Sequence, residues 1–576
     1  MQDMRLKIHR RGPDSEGEFL AEHVGLAHTR LSIRDLAGGG QPITRGRFTI
    51  VYSGEIYNAD ELKGELIRKG FSFATTSDTE VVLNGFICWG EGFVSRLNGT
   101  FAFAIWDGES LFLYRDHVGV KPLFYWLKDG FLVFASEHKA LFAHPYIQPE
   151  IDINSLREVF ALGPAHTPGN GVYKDVKELL PAHYAVFSPD GLRQTCYWQL
   201  ESRPHEESYD ATVERVRELV RDAIERQLVS DVPICSLLSG GVDSSIITAV
   251  AAKKLGVLNT FSFDFKDNDK HFCANAFQPE RDRPFVEKML AQYPLRHSFL
   301  ECAEEELAQL LYPAVEAKDL PGMADIDSSL LYFCAKVAQE NKVALTGECA
   351  DEIFGGYPWF YREDLLNADS FPWSRSIETR EMLLSREFRQ ELKLEEYADA
   401  AYRQALAEVP PLHGENPLEA RRRQISYLNL HWFMQTLLTR MDRASMYSGL
   451  EARVPFADPR IVEYLWNVPW EMKCRGGVVK GLLRDAFKEL LPTGLLMRKK
   501  SPYPKTYNPN FTRILSESLL NLLGDSTSPL APLLDKDAVT KFVTSEQELG
   551  KPWFGQLMAG PQLMGYLLQV DWWMRL

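Results

Sequence analysis

Two domains of different grammar are predicted. Residues 1–200 read as an N-terminal α+β domain of layered antiparallel β-sandwich type. Residues 208–576 read as a C-terminal α/β domain, with a parallel sheet flanked by helices and a mostly helical C-terminal part. Three observations carry this prediction. At 576 residues the chain exceeds what one core organises. Up to about residue 195, short alternating or β-branched runs recur about every ten residues between turn residues. From about residue 208, strand-like and helix-like runs alternate instead.

The first domain contains RFTIVYSG, TFAFAIWDG, SLFLYRD, GFLVFASE and AHYAVFSPDG, runs divided by Gly, Asp and Asn. Two helical runs interrupt them, ADELKGELIRKG and TEVVLNGFICWGEGFVSRL. The polar segment SRPHEE, with Pro204, is the natural linker. Beyond it, SYDATVERVRELVRDAIERQLV spaces apolar residues by three and four, the mark of an amphipathic helix. Strand-like VPICSLLS, helix-like IITAVAAKKLG and strand-like NTFSFDF follow, and later KVALTG reads as a further strand. Strands alternating with helices argue for a parallel sheet covered on both faces.

A net charge of −15 argues against a general nucleic-acid binder, because little offsets phosphate repulsion. The run Arg421, Arg422 and Arg423 is expected to be a solvated helix face. No apolar run approaches the roughly 18 residues of a membrane span, and MQDMRLKIHRR lacks an apolar signal core. The eight cysteines include no C-x-x-C pair, so neither a disulfide framework nor a zinc site is expected. A cytoplasmic location is the expectation.

The stretch SLLSGGVDSS lies between a predicted strand and a predicted helix. Ligands of open parallel sheets bind beyond the carboxyl ends of strands. Gly240 and Gly241 permit a tight turn and close approach of an anion. Ser239, Ser244 and Ser245 add hydroxyl donors, and the helix start adds its partial positive charge. The pattern is a phosphate cradle but not a Walker A loop, since it lacks the lysine. Asp243 would repel phosphate unless a cation intervened, and Mg²⁺ is the usual bridge. Read blandly, the same turn is a well-capped helix start.

A second stretch, ALTGECADEIFGGY, also follows a predicted strand and places Glu348, Asp351 and Glu352 together. Asp243 and Asp351 are expected to share the metal. VVKGLLRDAF offers Lys480 and Arg484, one helical turn apart, as cationic partners.

Together these residues resemble the ATP-pyrophosphatase synthetase domain of the asparagine synthetase B family. SGGVDSS matches its pyrophosphate loop, and GECADEIFGGY and GLEARVPFADPRIVEY resemble its downstream segments. RGPDSEG, HTRLSI, GEIYN, TSDTEV, LNGTFAFAIWD, RDHVGVKPLFY and FASEHKAL resemble, in order, that family's glutaminase domain, a class II glutamine amidotransferase of Ntn-hydrolase-like fold. The resemblance covers nearly the whole chain.

It implies ATP-dependent amidation of aspartate to asparagine through a β-aspartyl-AMP intermediate, with ATP and Mg²⁺ required. Ser239 to Ser245 would hold pyrophosphate, Asp243 and Asp351 the Mg²⁺, and Lys480 the departing charge. Leu238, Phe263 and Gly347 would line the adenosine pocket, and Glu348 would handle the proton of incoming ammonia. In the glutaminase half, Arg30 would pair with the α-carboxylate of glutamine and Asp78 with its α-ammonium. Ser53, Gly54 and Glu55 would complete that site, Gly54 as an oxyanion-hole donor. The family commonly forms homodimers.

Two departures stand out. Ser53 replaces the family's asparagine, shortening one oxyanion donor. The family's mature glutaminase begins with a nucleophilic cysteine, whereas the first cysteine here is Cys88, within a helical run. The strand carrying the nucleophile is therefore expected to be missing from this chain, which is expected to take nitrogen from ammonia. The alternative readings are a β-lactam synthetase or peptide cyclase, which keep the adenylating domain, and a non-catalytic regulatory paralogue. Arg30 and Asp78 favour a protein built to hold glutamine. The lining that selects the acceptor is expected in the loop DLPGMADIDSS.

Overall fold

The computed structural model describes residues 1–274, 278–545, 549 and 552–576. In the N-terminal part, β1 (Ser15–Ala21) and β2 (Val24–Arg30) form an antiparallel hairpin. Next come β3 (Ile43–Arg45), β4 (Phe48–Ile56), β5 (Gly99–Trp106) and β6 (Leu111–Arg115). They are followed by β7 (Phe124–Lys128), β8 (Phe131–Ala135), β9 (Val176–Glu178), β10 (His183–Ser188) and β11 (Gly191–Cys196). Six of these strands build an antiparallel sheet ordered β11-β10-β6-β5-β4-β3, and β8-β7-β9 form a smaller one.

Period-two alternation decides what each face of the large sheet meets. Ile50 and Tyr52 of β4, with Phe101 and Phe103 of β5, point to one side and bury Leu62, Leu66, Val82 and Phe86. Those partners come from the helices Ala59–Arg68 and Asp78–Trp89. Val51, Ala102 and Ala104 point to the other side, where they meet Leu26 of β2 and Leu132 and Phe134 of β8. The domain is thus a helical layer, the large sheet, and a second β layer made of two separate pieces.

The C-terminal part holds β12 (Ile234–Leu237), β13 (Leu258–Phe265), β14 (Leu295–Cys302), β15 (Val343–Leu345) and β16 (Glu451–Arg453) in the order β14-β13-β12-β15-β16. Every pairing is parallel. The chain winds outward from β12 to β14, then crosses back to β15 and winds the other way. The crevice between β12 and β15 is therefore the topological switch point of the sheet. The helix Val242–Leu255 is apolar nearly all round because it is buried on most sides, with Ile246, Ile247, Ala249 and Ala251 fully covered. The long C-terminal helices Pro509–Gly524 and Gly560–Arg575 pack against each other around Leu515, Leu519, Leu563 and Leu567.

Buried ion pairs join the two parts. Arg11 bonds Glu137 at 3.1 Å and Asp442 at 2.8 Å, and Lys121 reaches Asp442 at 3.3 Å. Arg443 pairs with Glu137 and with Asp319. Arg453, at the end of β16, reaches Glu55 at 3.2 Å. The arginine run on the helix Pro417–Leu428 departs from its expected solvated state. Arg423 is buried against Glu415, and Arg421 donates to the carbonyls of Leu366 and Ala368. The helix is packed along that face, so its charges are used internally. Among the described residues no helix is long and apolar enough to cross a membrane.

Candidate active sites

At the switch point, β12 runs into Leu238–Gly241 and the helix Val242–Leu255, while β15 runs into Thr346–Cys349 and the short helix Ala350–Phe354. The two loops touch because Gly347 has no side chain. A Cβ there would lie 2.9 Å from the Ser244 nitrogen and 3.2 Å from Asp243 Cβ. Gly240 takes φ +67°, and its Cβ would meet Phe285 at 2.8 Å, so this turn accepts only glycine. Ser239 and Ser244 hydroxyls share a 3.0 Å hydrogen bond, which closes the turn over the helix start.

Around this crevice lies a cavity of about 240 Å³, lined by Leu238, Ser239, Gly241, Asp243, Ser244 and Phe263 from the first side. Gly347, Glu348 and Asp351 line it from the second. Gly240 and Ser245, expected in the same set, support the turn from behind without lining the cavity. Lys480 arrives from a left-handed position before the helix Gly481–Phe487. Its ammonium lies 2.6 Å from Asp243 and also pairs with Asp351, whose other oxygen is paired with Lys500. Burial opposes charge on Asp351, but Lys480 and Lys500 hold its carboxyl well below the usual range. Burial likewise opposes charge on Lys480, and Asp243 and Asp351 nonetheless hold it above the usual lysine range. Asp243 Oδ1 is buried with no hydrogen-bond partner.

Glu348 faces the same cavity. Arg440, from the helix Met434–Tyr447, donates to it at 3.0 Å. Burial outweighs that pairing and pushes the Glu348 carboxyl above the usual carboxylate range. Its second oxygen, Oε2, is buried without a hydrogen-bond partner. Met323, from the loop expected to select the acceptor, lines the cavity beside Arg440.

A larger cavity, about 1050 Å³, opens in the N-terminal part between β2 and β8. Each of these strands pairs on one edge alone, β2 with β1 and β8 with β7. Arg30, Ser53, Gly54, Glu55 and Asp78 all line it. Asp78 accepts from the Tyr52 hydroxyl at 2.8 Å and from the Ile56 N–H at 3.0 Å. Burial raises its carboxyl above the usual range, against the pull of Arg34. The Arg30 guanidinium donates to the carbonyls of Arg34 and Asp35 at 2.8 and 2.7 Å. Gly54 sits at φ +145°, and a Cβ would overlap Thr100 O at 2.0 Å. Glu55 is engaged by Arg34 at 2.7 Å as well as by Arg453. Among the described residues no cysteine lines this cavity. Cys88 is half-buried in the helix Asp78–Trp89, and Cys196 is exposed.

A family model described as asparagine synthase matches residues 215–575, and one described as a glutamine amidotransferase domain matches residues 1–198. The chain belongs to the asparagine synthase family. It is 48% identical over 585 aligned residues to the glutamine-hydrolyzing asparagine synthetase 3 of Bacillus subtilis (strain 168), covering 100% of this chain and 95% of that one. It is 32% identical over 565 residues to asparagine synthetase 1 of the same organism, covering 91% and 87%.

At the β12–β15 crevice, the structure departs from sequence reasoning in which cations it brings in. Arg484 does not reach the carboxylates. Its guanidinium is spent on the carbonyls of Val479, Leu496 and Arg498, fastening the helix Gly481–Phe487 to the following segment. Lys500 stands at Asp351 instead. Arg498, two residues before it, pairs with Asp282 and donates to Ser239 O at 3.1 Å. Arg440 and Tyr503 were also missed, Tyr503 stacking on Phe263 with centroids 5.9 Å apart.

Proposed function

We propose that this chain amidates aspartate to asparagine at the β12–β15 crevice, activating the side-chain carboxylate with ATP as β-aspartyl-AMP. One observation carries the reading. Two loops at the switch point place Asp243 and Asp351 against Lys480 and Lys500, in a charge-balanced cluster beside a serine-lined helix start.

An aspartate carboxylate oxygen attacks the α-phosphorus of ATP, and the bond to the bridging oxygen breaks as pyrophosphate leaves. Ser239, Gly241 and Ser244 stand where that leaving group meets the partial positive charge of the helix start. Lys480 and Lys500 supply fixed positive charge as negative charge grows on pyrophosphate. Mg²⁺ fits the residues present. Asp243 Oδ1 is buried and unpartnered, and two carboxylates completed by phosphate oxygens suit this ion. When bound by Asp243 and Asp351, Mg²⁺ would neutralise charge on the phosphate oxygens.

Phe263 and Tyr503, stacked at the cavity wall with Leu238 beside them, suit a nucleoside. Ammonia then attacks the acyl carbon, the bond to AMP breaks, and the surplus ammonium proton passes to Glu348. Its raised carboxyl and unpartnered Oε2 suit it to take that proton. The cavity of Arg30, Gly54 and Asp78 is read as the place of glutamine.

Incubation with ATP, Mg²⁺, aspartate and an ammonium salt tests the reading. Asparagine, AMP and pyrophosphate are expected in equal amounts, and stoichiometric ADP and phosphate would remove the adenylation mechanism.

A further inference from the structure

A third cavity, about 260 Å³, lies apart from both sites, where Gly355 and Phe360 meet the segment Trp466–Lys473 and the helix Pro417–Leu428. Its charges do not balance. Glu415 is taken by Arg423, which donates to it at 2.8 Å through Nη2 and at 3.0 and 3.1 Å through Nε. Glu419 is taken by Arg422 Nη1 at 2.5 Å and by the Trp470 N–H at 3.3 Å. Both acids are thereby used. Lys473 is 8% exposed, and its ammonium makes neither hydrogen bond nor ion pair among the described residues, its backbone N–H alone bonding Pro469 O. Arg422 Nε, on the same wall, is buried without an acceptor. His205 also faces the cavity, its Nε2 bonded to Thr212 Oγ1 at 2.8 Å.

A buried ammonium without a counter-ion is costly, and proteins ordinarily supply one. Here the protein's own carboxylates are spent elsewhere and open space stands in front of the lysine. The remaining walls mix the rings of Phe360, Trp466 and Trp470 with aliphatic Val468 and Pro469 and polar Asn416. Arg422 lies over the Trp470 ring at 5.2 Å and Arg423 over the Trp466 ring at 5.1 Å, which leaves apolar ring surface beside the two unmatched donors.

We propose that this cavity binds a small organic carboxylate, its anionic end between Lys473 and Arg422 Nε and its carbon body against Trp466 and Trp470. The ligand supplies the counter-charge that the fold withholds. Burial, with Arg423 nearby and Glu419 opposing, brings the empty-state Lys473 down to about 7. A bound anion favours the ammonium, so binding takes up a proton and tightens as pH falls through that value. Trp470 occupies the space where a Gly355 Cβ would lie, 2.4 Å away, and Gly355 ends the helix that carries Asp351.

The test is a set of titrations of the full chain with acetate, propionate, succinate and inorganic phosphate, read by melting temperature and calorimetry. Wild type and Lys473→Met are compared. Replacing an unpaired buried charge by a matched apolar chain should leave the protein folded, and Lys473→Gln stands in if it does not. The expected result is saturable binding of a carboxylate, weaker by roughly tenfold or more in the variant. The wild-type affinity should also fall as pH rises from 6 to 8.5. Absence of saturable carboxylate binding overturns the proposal. So does equal binding by both proteins, which would place the anion in the aspartate site, or a preference for phosphate over every carboxylate. None of these outcomes touches the amidation reading, whose products are assayed separately.

Discussion

Lys480 Nζ lies 2.6 Å from Asp243 Oδ2 and pairs at the same time with Asp351, bridging the two loops of the switch point. Without nucleotide, the lysine does the work of a counter-ion for two buried carboxylates that would otherwise repel. Were Mg²⁺ and pyrophosphate bound there, Asp243 and Asp351 would hold the metal and Lys480 would face phosphate oxygens.

Asp243→Asn and Asp351→Asn are each expected to lower aspartate-dependent exchange of pyrophosphate into ATP by at least about 10²-fold, since each removes a hard anionic ligand. Near-native circular dichroism should accompany the loss. Wild-type exchange in either variant would mean that the metal is held elsewhere.

Glu348 is assigned a later step, so its substitution should separate the two half-reactions. Glu348→Gln should keep pyrophosphate exchange while ammonia-dependent asparagine formation drops by roughly 10²–10⁴-fold. The pH dependence has a definite sign. Glu348 acts as carboxylate, burial raises its proton affinity, and Arg440 at 3.0 Å lowers it. Activity therefore falls as pH falls through that raised value. Arg440→Met removes the lowering influence and should move the acid limb to higher pH. A limb that moves to lower pH would contradict the assignment.

Arg11 and Asp442 join the two domains while both are buried, at 5% and 4% exposure. Asp442→Asn leaves Arg11 and Lys121 short of a counter-charge and should cost roughly 3–5 kcal/mol in denaturant unfolding. The triple change Arg11→Met, Lys121→Met, Asp442→Leu should cost less than Asp442→Asn alone, because Glu137 keeps Arg443 and Lys139 and no buried charge is orphaned. A neutralised variant that costs as much as Asp442→Asn or more would show that the cluster contributes net attraction beyond its desolvation.

Acid should loosen the fold through histidines kept neutral. Burial lowers His117 to about 4, against a slight upward pull from Asp458. The unfolded chain binds that proton near pH 6.5, so stability is complete above this value and declines as pH falls toward 4. The decline amounts to about 3 kcal/mol for this group. His117→Phe, which keeps the ring contacts to Phe101, Tyr197 and Trp198, should flatten part of the slope. His28 and His431 are lowered to the same level by burial, so part should remain. An unchanged slope would show that His117 is protonated in the folded state.

Local pattern made much of this legible. The strand–turn–helix of SGGVDSS, the period-two runs of β4 and β5, and the acid cluster after β15 are each contained within about a dozen residues. Their placement follows from strand direction alone. Other features depend on distance along the chain. Lys500 meets Asp351 from 149 residues away through an irregular segment, and nothing in RKKS distinguishes a site lysine from a surface one. Arg484 failed for the opposite reason. Its helical spacing from Lys480 is real, but Lys480 stands before the helix begins, at φ +57°. The arginine run at 421–423 was misjudged because a charge pattern does not reveal that Glu415 and the carbonyls of Leu366 and Ala368 lie against it.

The most direct measurement follows oxygen. Aspartate labelled with ¹⁸O in its side-chain carboxylate is incubated with ATP, Mg²⁺ and ammonium, and the products are weighed by mass spectrometry. Attack of that carboxylate on the α-phosphorus transfers one labelled oxygen to AMP, so labelled AMP should appear in step with asparagine. Unlabelled AMP, or label in inorganic phosphate, would contradict adenylation at the Asp243–Asp351 crevice.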